Sequence, residues 1–154
     1  MKDAIPIRGL DKTERRLTTK GIVFFGALTV FLLFLHAAEE IARGAAAQNY
    51  AGFGVGAATQ FFILLMVLYV FGIGWAWKER RLGYGIVLVG SAVAFLRTFA
   101  VIFGLGILDL EALVAAYTSE AVGVFFVFVY VAIALTSLMT LFLSIHALVV
   151  RKRG

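Results

Sequence analysis

Residues 121–150 read AVGVFFVFVYVAIALTSLMTLFLSIHALVV, thirty consecutive positions without an Asp, Glu, Lys or Arg. At a rise of about 1.5 Å per residue, a helix of this length exceeds the roughly 30 Å hydrocarbon core of a bilayer. Such a run is also too long for the strands or amphipathic helices of a soluble domain. The segment therefore predicts a membrane-spanning helix.

Three further apolar segments precede this one, and together the four predict an all-α fold, an integral membrane four-helix bundle. The second segment ends in Trp75 and Trp77 beside a basic loop, a pattern typical of the aromatic belt at a membrane interface. We predict a basic tail at 1–20, four spans at about 21–42, 57–77, 82–108 and 120–150, and a second basic tail at 151–154.

The composition supports a membrane protein and excludes several other classes. Of the 154 residues, 62% are hydrophobic and only 15% charged, and the mean hydropathy is +1.00, whereas a soluble chain needs more charge to cover its surface. There is no Cys, which excludes disulfides, thiolate metal sites and cysteine nucleophiles. The net charge of +5 does not indicate nucleic-acid binding, because the basic residues lie at helix ends and no loop is long enough for a binding domain.

The distribution of Lys and Arg predicts the orientation. Six lie in the N-terminal tail, three in the loop at 78–81 and three in the C-terminal tail, and four spans put all twelve on one side of the membrane. Cytoplasmic loops carry this excess of positive charge. We therefore expect a multi-pass protein of the cell membrane, in contact with its lipid, with both termini in the cytoplasm.

Polar residues inside the spans are the candidates for a functional site. In span one they are His36, Glu39, Glu40 and Arg43, and spacings of three, four and seven put them on one side of a helix. Span three carries Arg97 on a line of small residues, which lets helices approach closely and turns the arginine towards the bundle. The line is formed by Gly83, Gly90, Ala94 and Gly104.

The estimated depths of these residues in the membrane are similar. His36 and Arg97 each lie about 14 residues into their spans, which is roughly 20 Å from the cytoplasmic side. The predicted polar cluster in the outer half of the membrane is therefore His36, Glu39, Glu40, Gln60 and Arg97, with Arg43 and Glu120 at its rim. A buried charge needs a partner. We expect one glutamate to pair with Arg97 and the other to take up a proton that His36 can share.

Competing interpretations of these residues remain open. The cluster could be a structural clamp that fixes helix register without any turnover. The spacing His36-x-x-Glu39 suits a metal ligand pair, but the nearby arginine opposes a cation, and no metal or other cofactor is expected. Haem bound between His36 and His146 is excluded, because the two histidines fall near opposite faces of the membrane. The seven-residue stripe of span four is either a packing face or a polar path, and consists of Gly123, Tyr130, Ser137 and Ser144.

The segment Val89-Gly-Ser-Ala-Val-Ala-Phe-Leu-Arg97-Thr-Phe-Ala-Val101, followed by Leu108-Asp-Leu and a final span with a basic tail, resembles the phosphate-starvation-inducible PsiE family of small four-span membrane proteins. An acidic residue late in span one, here Glu39 or Glu40, also fits that family. Its acidic residue in span two has no counterpart in the stretch Tyr69-Val-Phe-Gly-Ile73. The resemblance implies a four-span fold and no defined activity.

Two functional hypotheses follow. In the first, the chain is a small non-enzymatic transport or binding protein for a proton or small cation, and we expect it to form a homo-oligomer. In the second, it is an accessory or structural subunit of a larger membrane complex. A third, an enzyme acting on lipid with His36 as base, is the weakest, because no nucleophile, metal set or other catalytic motif accompanies the histidine.

Overall fold

The computed structural model describes residues 12–42, 55–104, 114, 117 and 119–151. Side-chain surroundings are described for 13–39, 64–99, 114, 117 and 119–149. The described chain forms four long α-helices, and we number them α1 (Lys12–Ala42), α2 (Val55–Trp77), α3 (Arg81–Gly104) and α4 (Glu120–Arg151).

The helices form an all-α bundle in which α1 packs against α2, α2 against α3, α3 against α4, and α4 back against α1. Neighbouring helices run antiparallel. An added Cβ on Gly21 would meet Leu143, whereas further along α1 the side chain of His36 contacts Tyr130 of α4. The start of α1 and the end of α4 therefore lie at the same end of the bundle, which we call the terminal end.

Three described helices are long and apolar enough to cross a membrane, at Thr13–Glu39, Arg81–Phe99 and Glu120–Val149. Helix α2 is 23 residues long, and its described apolar part is the shorter stretch Leu64–Trp77. Large apolar side chains cover the outside of the bundle, as expected where lipid is the solvent; examples are Phe24, Phe31, Phe34, Phe128 and Phe142.

Helix α1 begins earlier than the first span was expected to. Residues 12–20, predicted to belong to the basic tail, form the first turns of the helix. Arg15, Arg16 and Lys20 do not break the helix, because Lys and Arg are good helix formers and these three side chains are exposed. The predicted tails at 1–11 and 152–154, and the predicted end of span three at 105–108, lie outside the described residues.

The turn between α2 and α3 is a Schellman motif. Glu79 N–H donates to the carbonyl of Ala76 at 2.8 Å and Arg80 N–H to that of Trp75 at 2.9 Å. Glu79 occupies the left-handed position with φ 54°, where glycine is the usual residue. This tight connection holds α2 and α3 as an antiparallel hairpin.

Glycines allow this hairpin to close tightly. A Cβ on Gly83 would lie 2.3 Å from the backbone nitrogen of Ala76, and one on Gly90 would lie 2.9 Å from the ring of Tyr69. Gly83 and Gly90, two members of the line of small residues on α3, thus face α2, as expected for close helix contact, whereas Ala94 packs in a cluster with residues of α1 and α4.

Candidate functional site

The imidazole of His36 is deeply buried inside the bundle. It is 3% exposed, and its Nε2 lies 3.1 Å from the hydroxyl of Tyr130, which is itself buried. The two ring centroids are 4.6 Å apart. A phenol hydroxyl can donate to a neutral imidazole or accept from a protonated one, so the pair can keep its hydrogen bond in both states.

Aromatic rings pack around this pair on the side away from the terminal end. The ring of Phe126 lies 6.3 Å from His36, and Tyr117 stacks on Phe126 at 5.2 Å with an interplanar angle of 7°. Both rings belong to a buried apolar cluster. The imidazole is therefore held between a hydroxyl and apolar surfaces.

Arg97 lies, like His36, in the part of the bundle away from the terminal end. Leu33 of α1 and Ala94 of α3 share one buried cluster, and these two helices run in the same direction. His36 and Arg97 each follow three residues later, about 4.5 Å further along the helix axis. The Arg97 side chain is half-buried and its Nη1 is fully buried, and Glu39, one turn beyond His36, is also half-buried.

Four residues of the predicted cluster and its rim remain: Glu40, Gln60, Arg43 and Glu120. Glu40 and Gln60 lie in α1 and α2, but their side chains, like the whole of Arg43, lie outside the described residues. Glu120 is exposed at the start of α4. The expected pairing of a glutamate with Arg97 stays a prediction.

Towards the terminal end from His36 lies a feature that was not predicted from the sequence, a buried layer of hydroxyl groups to which every helix contributes. The Thr29 hydroxyl donates to Thr136 Oγ1 at 2.9 Å across α1 and α4. The hydroxyls of Tyr69 and Ser91 are 2.8 Å apart across α2 and α3. Tyr69 also interacts with the hydroxyls of Thr29 and Thr140. We call Thr29, Tyr69, Ser91, Thr136 and Thr140 the hydroxyl layer.

Several of these hydroxyls also bond to their own helix. Ser91 donates to the carbonyl of Val87 at 2.6 Å and Thr140 to that of Thr136 at 2.7 Å, each four residues earlier. Because Ser91 donates its single proton to this carbonyl, Tyr69 must be the donor in the bond between them. Backbone carbonyls of the same helix thus accept the protons of these hydroxyl groups, and no charged partner is needed.

Little in the sequence marks this layer. Thr29 lies seven residues before His36, on the same side of the helix, but Tyr69, Ser91, Thr136 and Thr140 are ordinary residues of apolar helices. These residues could have been identified by aligning the four spans by height, with each span running opposite to its neighbours. Such an alignment puts a hydroxyl from every helix at one level.

An apolar layer separates His36 from the hydroxyl layer. Leu33 lies between Thr29 and His36 on α1, and Ile133 lies between Tyr130 and Thr136 on α4. Both are buried in one cluster together with Ala94 of α3. The interior therefore alternates polar and apolar levels, and about two helical turns divide the histidine from the hydroxyls.

The second histidine is far from the first. His146 is exposed and lies 16 residues beyond Tyr130 on α4, which corresponds to about 24 Å along the helix. One haem iron cannot contact both imidazoles. Within the described ranges, no group of three or more His, Cys, Asp or Glu side chains is arranged to hold a metal ion.

Comparison with known proteins found no matching family model, no matching curated protein and no matching solved structure. The resemblance to the PsiE family therefore stays a prediction from the sequence.

Proposed function

We propose that this protein is a non-enzymatic membrane protein that binds and transfers protons through the interior of its helix bundle, with His36 as the central proton acceptor. Glu39 and Arg97 set the charge around this histidine on the side away from the terminal end. Glu40 and Gln60 are included in the proposed site by their position in the sequence.

The observation that carries the proposal is the buried pair of His36 and Tyr130, at 3.1 Å. Imidazole is the side chain whose ordinary titration lies closest to neutral pH, and it can exchange a proton without a large structural change. Ionisable groups inside a membrane are costly, so they are rare there and mark proton or ion pathways. A purely structural contact at this position needs no titratable group.

The proposal requires four spans with both termini in the cytoplasm. The 23 residues of α2 correspond to about 35 Å, enough to cross the hydrocarbon core. The positive charge at 12–20 and 78–81 supports a cytoplasmic terminal end, because Lys and Arg are enriched on that side.

Proton flux in proteoliposomes tests this function. The protein is reconstituted with a pH-sensitive dye inside the vesicles, and a potassium gradient with valinomycin drives protons across the membrane. We expect flux above that of empty vesicles, with loss of at least about nine-tenths of it in His36→Gln, because glutamine keeps the polarity but cannot carry the proton.

His146→Gln is the matched control, because this histidine is exposed and distant from the site. It should leave the flux unchanged, whereas Tyr130→Phe should reduce it by removing the hydrogen-bond partner of the imidazole. Equal flux in the wild type and in a folded His36→Gln variant would refute the role of His36.

An accessory subunit is the second candidate, and the exposed apolar side of α1 favours it. Phe24, Phe31 and Phe34 are 64%, 61% and 63% exposed and form an aromatic surface that another membrane helix could cover. Purification in mild detergent distinguishes the two candidates. A subunit co-purifies with defined partners and shows no flux when isolated, whereas a transporter is active alone or as a homo-oligomer.

A further inference from the structure

The same four-residue segment, Glu-Arg-Arg-Leu, occurs at the start of two helices of the bundle. It stands at 14–17 in the first turns of α1 and at 79–82 where α3 begins. Thr19 and Tyr84, two residues beyond each copy, are buried, 65 positions apart in sequence and 2.7 Å apart at their hydroxyl oxygens. The two copies have this same separation in sequence, so they are in register at the terminal end. We call Arg15 with Arg16, and Arg80 with Arg81, the two arginine pairs.

Both arginine pairs lie one helical turn before this hydrogen bond. The first pair precedes Thr19 by four and three residues, and the second pair precedes Tyr84 by the same spacing, which puts each pair on the same side of its helix as the hydroxyl residue. The Tyr84 N–H donates to the Arg80 carbonyl at 3.4 Å, so residue 80 already follows the helical turn. Because α1 and α3 run in the same direction, the two pairs lie within about one turn of the same level.

The arginine pairs give the terminal end a concentrated positive charge. All four of their side chains are exposed, and so are Lys20 and Lys78 beside them. These six cationic side chains outnumber the carboxylates of the two segments, Glu14 and Glu79. Arginine forms paired N–H···O bonds to the oxygens of a phosphate group, so an anionic group of this kind is the expected ligand.

A leucine completes each segment on the opposite side of its helix. Leu17 and Leu82 each lie two residues before the buried hydroxyl residue, and each is 63% exposed. Trp77, beside the second segment, is 60% exposed. Large apolar side chains exposed at the level of exposed arginines are typical of the zone where acyl chains meet lipid headgroups. A ligand that contacts both kinds of side chain has an apolar part and an anionic part.

We propose that the two arginine pairs form one binding site for an acidic membrane phospholipid at the terminal end. The arginines contact the phosphate of the headgroup, and Leu17 and Leu82 border the acyl chains outside the bundle. The Thr19–Tyr84 hydrogen bond holds the two pairs together as a single site. Clusters of four or more Lys and Arg beside a membrane span bind acidic lipids in this way. The site does not depend on proton transfer by His36.

Spin-labelled lipids measure this preference in a bilayer. The full chain is reconstituted in phosphatidylcholine with a trace of spin-labelled phosphatidylglycerol or of spin-labelled phosphatidylcholine. Electron paramagnetic resonance then gives the fraction of each label whose motion the protein restricts. We expect phosphatidylglycerol to associate more than about fivefold more strongly than phosphatidylcholine. Equal association of the two lipids would overturn the proposal, whether or not the protein shows proton flux.

Two double variants test the arginine pairs, Arg15→Gln with Arg16→Gln and Arg80→Gln with Arg81→Gln. Each should lower the preference to less than about twofold, because the site needs both pairs. Replacement of all four arginines should then add little to either double variant, as expected for residues that act on one ligand. Independent, additive losses in variants with wild-type helix content would overturn the single site.

Lys20→Gln with Lys78→Gln is the matched control, because it removes two exposed charges from the same end. It should retain most of the preference, and a loss as large as in the arginine variants would show diffuse attraction and overturn the site. Arg16→Lys with Arg81→Lys keeps every charge and therefore the predicted orientation. Its preference should fall about twofold, because lysine cannot form the paired bonds, and an unchanged preference would overturn the role of arginine.

Inorganic phosphate distinguishes the lipid from a soluble anion. Millimolar phosphate, added at constant ionic strength, should leave the restricted fraction of spin-labelled phosphatidylglycerol unchanged, because free phosphate lacks the apolar part that the leucines border. Displacement of the labelled lipid by phosphate would assign the arginine pairs to a soluble anion and overturn the lipid site. Lipid preference without proton flux would confirm this site while refuting the proposed function.

Discussion

At the scale of single residues, Glu79 is the clearest case of local strain. It adopts φ 54°, a left-handed conformation that costs a residue with a Cβ about 1–2 kcal/mol. Glu79→Gly removes this cost, and Glu79→Ala removes the same side-chain interactions while keeping the Cβ. We expect the glycine variant to be more stable than the alanine variant by about 1 kcal/mol, measured by unfolding in mixed micelles.

Because both variants lose the carboxylate, the difference between their stabilities measures the cost of the left-handed backbone conformation at position 79. An alanine variant as stable as the glycine variant would show that the Schellman turn is not strained. No sequence signal identified this position, since a charged residue in a basic loop reads as ordinary cytoplasmic surface.

The same scale shows what could be predicted about the site. His36 and Arg97 stood out because charged or titratable side chains are rare in apolar spans. Tyr130, the partner of His36, did not stand out, because it was recognised only as part of a stripe on span four. Naming that contact requires the exact register of α1 against α4, which a single sequence does not supply.

At the scale of helices, two glycines of α3 give opposite predictions. A Cβ on Gly83 would lie 2.3 Å from the nitrogen of Ala76 and 2.5 Å from the carbonyl carbon of Trp75. These are backbone atoms and cannot move aside without opening the hairpin. Gly83→Ala should therefore destabilise the protein by more than about 2 kcal/mol.

Gly85→Ala is the matched control, two residues along the same helix. Nothing lies within 4 Å of its added Cβ, and alanine is the better helix former, so stability should rise by up to about 1 kcal/mol. Thermal unfolding of both variants in the same detergent measures the difference. Equal stability of the two would contradict the close approach of α2 and α3.

The helices themselves were largely predictable, and their ends less so. Four apolar runs predicted four helices, with α2 and α4 within two residues of the expected spans. The continuity of residues 12–20 with span one was not predicted, because their charge assigned them to the basic tail, with a short helix at the membrane surface as one interpretation of its second half. An exposed helix extending beyond the bilayer carries the same composition as such a tail, so hydropathy cannot separate them.

At the scale of the whole molecule, the interior is organised in levels. The aromatic rings of Phe126 and Tyr117, the pair of His36 and Tyr130, the apolar layer and the hydroxyl layer follow one another towards the terminal end. The last three of these levels draw side chains from helices that run in opposite directions. The order of levels is therefore a property of the assembled bundle and not of any one span.

The most direct test of the account is whether His36 changes protonation in a bilayer. Nitrogen-15 solid-state NMR of the reconstituted protein, labelled at histidine, separates neutral from charged imidazole and distinguishes His36 from the exposed His146. We expect His36 to pass reversibly from neutral to charged as the bulk pH is lowered, while its Nε2 stays hydrogen-bonded to Tyr130. A His36 signal that remains neutral at every pH at which the bundle is folded would contradict a role for this residue as proton acceptor.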